Sequence, residues 1–386
     1  MQIKPVYLSS PAKIIHYQNK YHLDPQFFWQ DRYVFELGGY SASQKNLLKT
    51  ICQKAPDYMA LYEHSELNKI LIHFMGRKAE KNHPFDLLAK DDEVRFFFIQ
   101  MGEFFSEKDK PIWHLKSRIL DFNQSPFIMG ILNMTPDSFS DGGKFSGVDS
   151  AVEYALSMIE AGADIIDIGG ESTRPGSEPV SVQQEINRVV PVIEQIKKHS
   201  DIPVSVDTYK SRVAEAAIKA GADIVNDISG CTFDEKMPDI IKTYNAPIIL
   251  MHIKGTPKNM QVNPEYEDVI LEVYGFLSNQ INILRKCGIH NIAIDPGIGF
   301  GKRLEDNLKL LNHIESFKFL GYPVLIGASR KSFLGYVLDK KVDQRLYGSL
   351  SVAVLSALKG ADILRVHDVA ETKDALKIIN AVQAEN

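Results

Sequence analysis

A chain of 386 residues with 44% hydrophobic and 24% charged residues has ordinary globular composition, and it is long enough for one barrel-sized domain and a smaller companion. A formal net charge of -5 excludes nucleic-acid binding by bulk charge, and three well-separated cysteines, Cys52, Cys231 and Cys287, exclude a disulfide framework or a cysteine-rich zinc site. The opening MQIKPVYLSSPAK has no charged segment followed by an apolar one, and no apolar run approaches the roughly 18 to 20 residues of a membrane span, so a cytoplasmic protein is expected.

Residues 1–117 are rich in aromatics and scattered charge and poor in glycine, which marks a separate small domain of mixed α/β type. Apolar spacing predicts helices over 42–55 and 63–75 and short strands over 33–37 and 94–100. His16, His22, His64, His73 and His83 form no metal-ligand motif, and the aromatic run after Arg95 reads as core, so no chemistry is assigned here.

From residue 127 the pattern changes to short Ile/Val-rich runs alternating with longer amphipathic segments. The runs are 127–132, 164–168, 203–206, 223–225, 247–251, 292–294, 323–326 and 362–366, with helices predicted over 150–161, 181–198, 210–220, 267–287, 304–314 and 347–358. Eight such units predict a (β/α)8 TIM barrel over 118–386, preceded by the small α/β domain. Three helix-to-strand joints, AGAD at 161–164, AGAD at 220–223 and KGAD at 359–362, place Gly where a helix end needs the left-handed conformation.

In such a barrel, side chains just past the C-terminal end of each strand meet at one mouth. Those positions are polar on every strand: Asn133; Glu171, Ser172, Thr173 and Arg174; Asp207; Asn226 and Asp227; His252 and Lys254; Asp295; Ser329 to Ser332; and Arg365, His367 and Asp368. One or two would pass as helix caps, Asp227 among them, but eight strands in agreement indicate a binding mouth. Asp207, Asn226 and Asp295 suit the edge of a nitrogen heterocycle, whose amino and ring N–H groups need acceptors. Arg174, Arg365, His367 and Asn133 suit a phosphate or pyrophosphate, because guanidinium groups bind such oxyanions through paired donors. Ser332, opening a predicted helix after Lys331, suits a carboxylate or phosphate. The run GIGFGK at 297–302 fits neither nucleotide-loop spacing and reads as a barrel loop, and His252 and Lys254 stay open between a catalytic and a loop-forming role.

The blocks MGILNMTPDSFSDGG (129–143), DIGGESTRPG (167–176), SVDT (205–208), NDISG (226–230), MHIKGTP (251–257), DPGIGFGK (295–302), GASRKSF (327–333) and RVHD (365–368) together resemble the dihydropteroate synthases. The resemblance covers about two thirds of the chain, with the blocks in the family's order. It implies condensation of dihydropterin pyrophosphate with p-aminobenzoate, aided by Mg2+, in a homodimer that sulfonamides target. Carried across, Asp207, Asn226, Asp295 and Lys331 bind the pterin, and Asn133, Thr173, Arg174, Arg365 and His367 hold the pyrophosphate. Phe139, Pro175 and Ser332 border the aminobenzoate, Asn133 and Asp141 hold Mg2+, and Asp207, Lys331 and Arg365 are the catalytic set. Of two other readings, a pterin-binding methyltransferase leaves the loop at 135–143 and the run at 329–333 without use, and a noncatalytic partner protein has no support because every matching family position is filled by a usable residue. The first 117 residues depart from the family pattern and are too short for a fused pterin pyrophosphokinase. They are expected to stabilise the barrel or mediate assembly.

Overall fold

The chain forms two compact units, one of Met1–Asp109 with Ile270–Gly275 and Glu315–Gly321, the other of Lys110–Val269, Phe276–Ile314 and Tyr322–Asn386. This is a computed structural model, which describes residues 1–7, 11–21, 33–54, 59–64, 66–74, 91–94, 97–98, 111–116, 118–124, 126–134 and 147–385.

In the first unit, strands β1 (Gln2–Tyr7), β2 (Tyr33–Gly38), β3 (Met59–His64) and β4 (Lys69–Phe74) form an antiparallel sheet in the order β1-β2-β4-β3. Val6, Val34 and Leu71 pack with Tyr17 and Tyr21 of helix Pro11–Tyr21, while Phe35 meets the rings of Phe97 and Phe319. Strand β2 and helix Ala42–Lys54 stand where the sequence predicts them. The predicted helix over 63–75 is instead the turn and second strand of a hairpin. His64 pairs with Lys69, and Asn68 takes a left-handed φ of 48° in the turn. The apolar spacing that mimicked a helix there comes from Ile70, Leu71 and Ile72, all three fully buried. Of the strand expected over 94–100, Val94, Phe97 and Phe98 are helical and the remainder lies outside the described residues.

The second unit opens with a hairpin, β5 (Ile112–His114) and β6 (Ile119–Asp121), and then the eight predicted runs appear as parallel strands. They are β7 (Phe127–Asn133), β8 (Ile165–Gly169), β9 (Val204–Asp207), β10 (Ile224–Asp227), β11 (Ile248–Met251), β12 (Ile292–Asp295), β13 (Leu325–Ile326) and β14 (Ile363–Val366). Their order is β12-β11-β10-β9-β8-β7-β14-β13, and a parallel bridge from Ile294 to Val324 closes the ring into a TIM barrel. Met129, Ile165, Ile224, Ile249, Ala293, Leu325 and Ile363 fill the lower interior, plugged by Trp113, Leu120 and Phe122.

The three Gly-Ala-Asp joints do two jobs. Gly162, Gly221 and Gly360 take φ of 99°, 117° and 84°, which a side chain resists. The aspartate that follows clamps the neighbouring strand from both sides of one residue. Asp164, Asp223 and Asp362 donate their backbone N–H to the carbonyls of Ile128, Val204 and Val324 at 2.8, 2.7 and 2.7 Å. Their carboxylates take back the N–H of those same residues at 2.9, 3.0 and 2.9 Å.

Candidate active site

Strand alternation positions the site. Residues two apart on a strand face the same side, so the side chains two positions above the apolar layer also point inward. Above Ile165, Ile224, Ala293 and Ile363 stand Asp167, Asn226, Asp295 and Arg365, with Asp207 at the end of β9. Above Leu325 stands Gly327, where a Cβ would lie 3.7 Å from both Cβ and Cδ of Arg365, leaving room beside that side chain.

These residues form one connected set. Arg365 donates from Nε to Asp167 at 2.6 Å and from a terminal nitrogen to Asp207 at 2.7 Å, while Asn226 donates its amide to Asp167 at 3.1 Å. Asn133 faces the same space: a Cβ on Gly169 would lie 3.6 Å from its Oδ1 and 3.7 Å from Oδ2 of Asp207. Oδ1 of Asp167 and Oδ1 of Asp207 are buried with no hydrogen-bond donor among the described residues. Asp295 accepts the N–H of Gly297 at 2.7 Å. Lys331 donates to the carbonyl of Ile298, and its ammonium lies 4.6 Å from the centre of the Phe300 ring.

Burial sets the electrostatics. It pushes the Asp207 carboxyl up to about 7 against the pull of Arg365, with Asp167, Glu185 and Asp227 adding to the rise. Burial raises Asp295 as well, opposed by Lys331 and the Gly297 N–H, and it lowers Lys331 to about 8. Three carboxylates therefore share two cations. Such a floor favours a ligand that brings N–H donors.

Higher in the mouth the balance reverses. His367 bonds Ser329 Oγ through Nδ1 at 3.0 Å, and burial, followed by Arg365, Arg330 and Arg174, pushes it down to about 4. Arg365 and Arg330 are already paired with carboxylates, so the cation left to meet an anion beside this neutral imidazole is the exposed Arg174. Thr173 is half-buried, Arg174 and Pro175 are exposed, and Ser332 is exposed at the start of helix Ser332–Leu338. Phe139 and Asp141 lie outside the described residues.

Several mouth positions prove to be scaffolding. Asp227 takes the N–H and hydroxyl of Ser229 and the N–H of Cys231, which makes it a turn-former. Glu171 accepts from Tyr209 at 2.6 Å, Lys210 at 2.6 Å and the Val180 N–H at 2.8 Å, so it ties the root of its loop instead of facing a ligand. Lys210 also bonds Glu185 and the Val180 carbonyl, both at 2.7 Å. Arg330 pairs with Asp368 and takes a left-handed φ of 56°. Asp167 is the residue that the strand-end rule misses. Its signal is a lone aspartate inside the apolar run IIDIG, which a buried strand tolerates only with a partner.

The family of pterin binding enzymes matches residues 129–367. A dihydropteroate synthase from Clostridium beijerinckii is 48% identical over 269 residues, covering 69% of this chain and 97% of that one. Two solved structures of Xanthomonas albilineans dihydropteroate synthase are similar as well. One, with 4-aminobenzoic acid, is 44% identical with a TM-score of 0.68, covering 71% of this chain and 99% of its own. The other, in complex with 7,8-dihydropteroate, is 42% identical with a TM-score of 0.65, and it too covers 71% of this chain and 99% of its own. The matched span holds Asp167, Asp207, Asn226, Asp295, Lys331, Arg365 and His367, so the chain belongs to the pterin binding enzymes and, within them, to the dihydropteroate synthases.

Proposed function

We propose that the barrel is a transferase of folate biosynthesis that joins dihydropterin pyrophosphate to p-aminobenzoate, giving 7,8-dihydropteroate and pyrophosphate. The observation that carries this reading is the carboxylate-rich floor of Asp167, Asp207 and Asp295, joined through Arg365 to the end of the mouth where Arg174 and Arg330 act on His367. One end takes a heterocycle rich in N–H groups and the other takes an anionic leaving group.

In this reading Asp207, Asn226, Asp295 and Lys331 bind the pterin, while Asn133, Thr173, Arg174, Arg365 and His367 hold the pyrophosphate. Pro175, Ser332 and Phe139 border the aminobenzoate. The bond between the pterin methylene carbon and the pyrophosphate oxygen breaks with its electron pair on oxygen. The arginines stabilise the departing oxyanion, and Asp207 stabilises the positive charge left on carbon. The aniline nitrogen then forms the new carbon–nitrogen bond and releases its proton to solvent. Arg365 touches two of the three floor carboxylates, Asp167 and Asp207, so it links charge at the pterin to charge at the leaving group.

Asn133 fits a part in holding Mg2+, because its amide oxygen is a hard donor at the open end of β7 and faces the space beside Asp207. Asp141 is the second protein donor in this reading. Bound there, Mg2+ supplies positive charge to the pyrophosphate oxygens. A homodimer is also proposed. Tyr336, Val337, Tyr347, Leu358, Ile378 and Val382 are each more than half exposed, and a second copy would cover apolar side chains of this kind.

The test is Mg2+-dependent pyrophosphate release from dihydropterin pyrophosphate with and without p-aminobenzoate. Release that requires the amine and yields dihydropteroate is the expected result. Pterin binding without any release overturns the reading in favour of a methyltransferase or a noncatalytic binder.

A further inference from the structure

Among the described residues, Lys302 is the one lysine or arginine that is fully buried, at 2% exposure. A buried ammonium ordinarily sits on a carboxylate, since the cost of desolvating it is otherwise uncompensated. Lys302 does not. Its hydrogen bonds go to neutral acceptors: His252 Nδ1 at 3.0 Å, the Phe300 carbonyl at 3.0 Å and the His252 carbonyl at 3.4 Å. A lysine buried in such a place needs a reason.

The reason lies in the two loops that it joins. His252 follows β11, and residues 296–302 follow β12. The two loops touch backbone to backbone: a Cβ on Gly297 would lie 1.9 Å from the His252 carbonyl oxygen, and one on Gly301 would lie 2.3 Å from that of Lys254. Loop 297–301 curls around the Lys302 ammonium, which lies 3.3 Å from the Cβ position of Gly297. Asn307 braces the same curl, accepting the Gly299 N–H at 2.6 Å and donating to the Lys302 carbonyl at 3.3 Å. The outer face of the curl carries Lys331. Ile298 offers its carbonyl to the Lys331 ammonium, the Phe300 ring lies beneath it, and a Cβ on Gly299 would lie 3.1 Å from Lys331 Cδ. Lys302 therefore holds from inside the surface on which Lys331 rests.

We infer that Lys302 is a positioning residue for the pterin half of the site, setting the placement of Lys331 and Phe300 without touching substrate. The inference rests on the reading of Lys331 as a pterin contact. It assigns His252 to the same device, as the acceptor that anchors the Lys302 ammonium to the loop after β11.

Steady-state kinetics of the full chain, with each substrate varied in turn, test this. Lys302→Met is expected to raise KM for dihydropterin pyrophosphate at least about 10-fold, while KM for p-aminobenzoate and kcat stay within about 3-fold. His252→Leu removes the acceptor and carries the same expectation if the lysine variant does not fold. The double variant is expected to be no worse than Lys302→Met alone. Lys331→Met separates two kinds of failure. If it leaves the pterin KM unchanged, the reading of Lys331 falls and the inference falls with it. If it raises that KM while Lys302→Met and His252→Leu do not, the positioning role alone is overturned. Equal increases in both KM values with a matching loss of kcat also overturn it, because general loosening of the barrel gives that pattern.

Discussion

Glu36 in the N-terminal unit and Asp207 in the barrel are both carboxylates removed from water, with side chains 2% and 9% exposed, and they behave in opposite ways. Burial raises Glu36, but hydrogen bonds from Lys20 and Lys69, both at 2.7 Å, outweigh it and hold the carboxyl below its ordinary value. Asp207 shares Arg365 with Asp167, keeps one oxygen unpaired, and is pushed up to about 7. Two lysines on one glutamate make a finished structural element. One arginine between two aspartates makes a site with acceptors to spare, and in the proposed reading a pterin edge brings the missing donors.

The largest effects come from completing that comparison by mutation. Asp207→Asn keeps the shape and removes the charge, and kcat/KM for dihydropterin pyrophosphate is expected to fall about 1000-fold, in line with the loss of a group that stabilises developing charge. Stability moves the other way. Because the folded pKa of Asp207 lies above the ordinary 3.8, ionising it opposes folding, and that cost grows as pH rises towards about 7. The asparagine variant escapes the cost, so its Tm at pH 8 is expected to exceed that of the parent by a few degrees. Glu36→Gln is expected to reverse the sign on stability and to spare activity, with Tm lowered and kcat/KM unchanged. The loss should be about 1 to 2 kcal/mol, below the usual figure for breaking a buried pair because Lys20 and Lys69 are 20% and 31% exposed and reach water. A Glu36→Gln chain that loses activity at a temperature where it remains folded breaks the comparison.

A second consequence is a narrow pH optimum. In the proposed reading, protonation of Asp207 below about 7 leaves the pterin one acceptor fewer, and above about 8 Lys331 loses its charge. The profile of kcat/KM for the pterin substrate is therefore expected to fall about 10-fold per pH unit on each side. Lys331→Arg, whose guanidinium stays charged, is expected to lose the alkaline limb and keep the acid one. If both limbs survive, Lys331 is not the group responsible.

What the sequence makes legible follows from where its signals are local. Eight apolar runs and the polar residues past their ends are neighbours in the chain, so the barrel and most of its mouth can be read directly. Asp167 escapes that reading because it lies within β8 and not beyond it, and only the two-residue alternation brings it level with Asp207 and Arg365. Glu171 misleads in the other direction. It sits at a strand end, yet Lys210 and Tyr209 claim it from 39 and 38 residues away. Lys302 is hidden for the same reason, since its partner His252 is 50 residues distant. The hairpin over Met59–Phe74 is obscured by a turn with neither Gly nor Pro, in which Asn68 alone supplies the left-handed position.

The sharpest check on the comparison comes from outside the mouth, because an unpaired carboxylate oxygen is not confined to it. Asp223 too has a buried Oδ1 without a donor among the described residues. Its other oxygen is well supplied, taking the Val204 N–H at 3.0 Å and the Lys197 ammonium at 3.1 Å. It precedes β10, at the end of the strands opposite the mouth. If an orphan oxygen by itself marked function, Asp223→Ala would impair catalysis. The arrangement predicts instead a loss of about 1 to 3 kcal/mol of stability, the cost of leaving the buried Val204 N–H without its carboxylate partner, with kcat and both KM values unchanged. Asp164→Ala, which opens the same kind of clamp on Ile128 at a less buried joint, should lose less. Denaturant titration gives the ranking of the two variants, and kinetics well below the unfolding midpoint separate lost stability from lost catalysis. A fall in kcat for Asp223→Ala there would mean that the strain of an underpaired carboxylate acts along the strand, and that the division between finished and poised carboxylates is drawn in the wrong place.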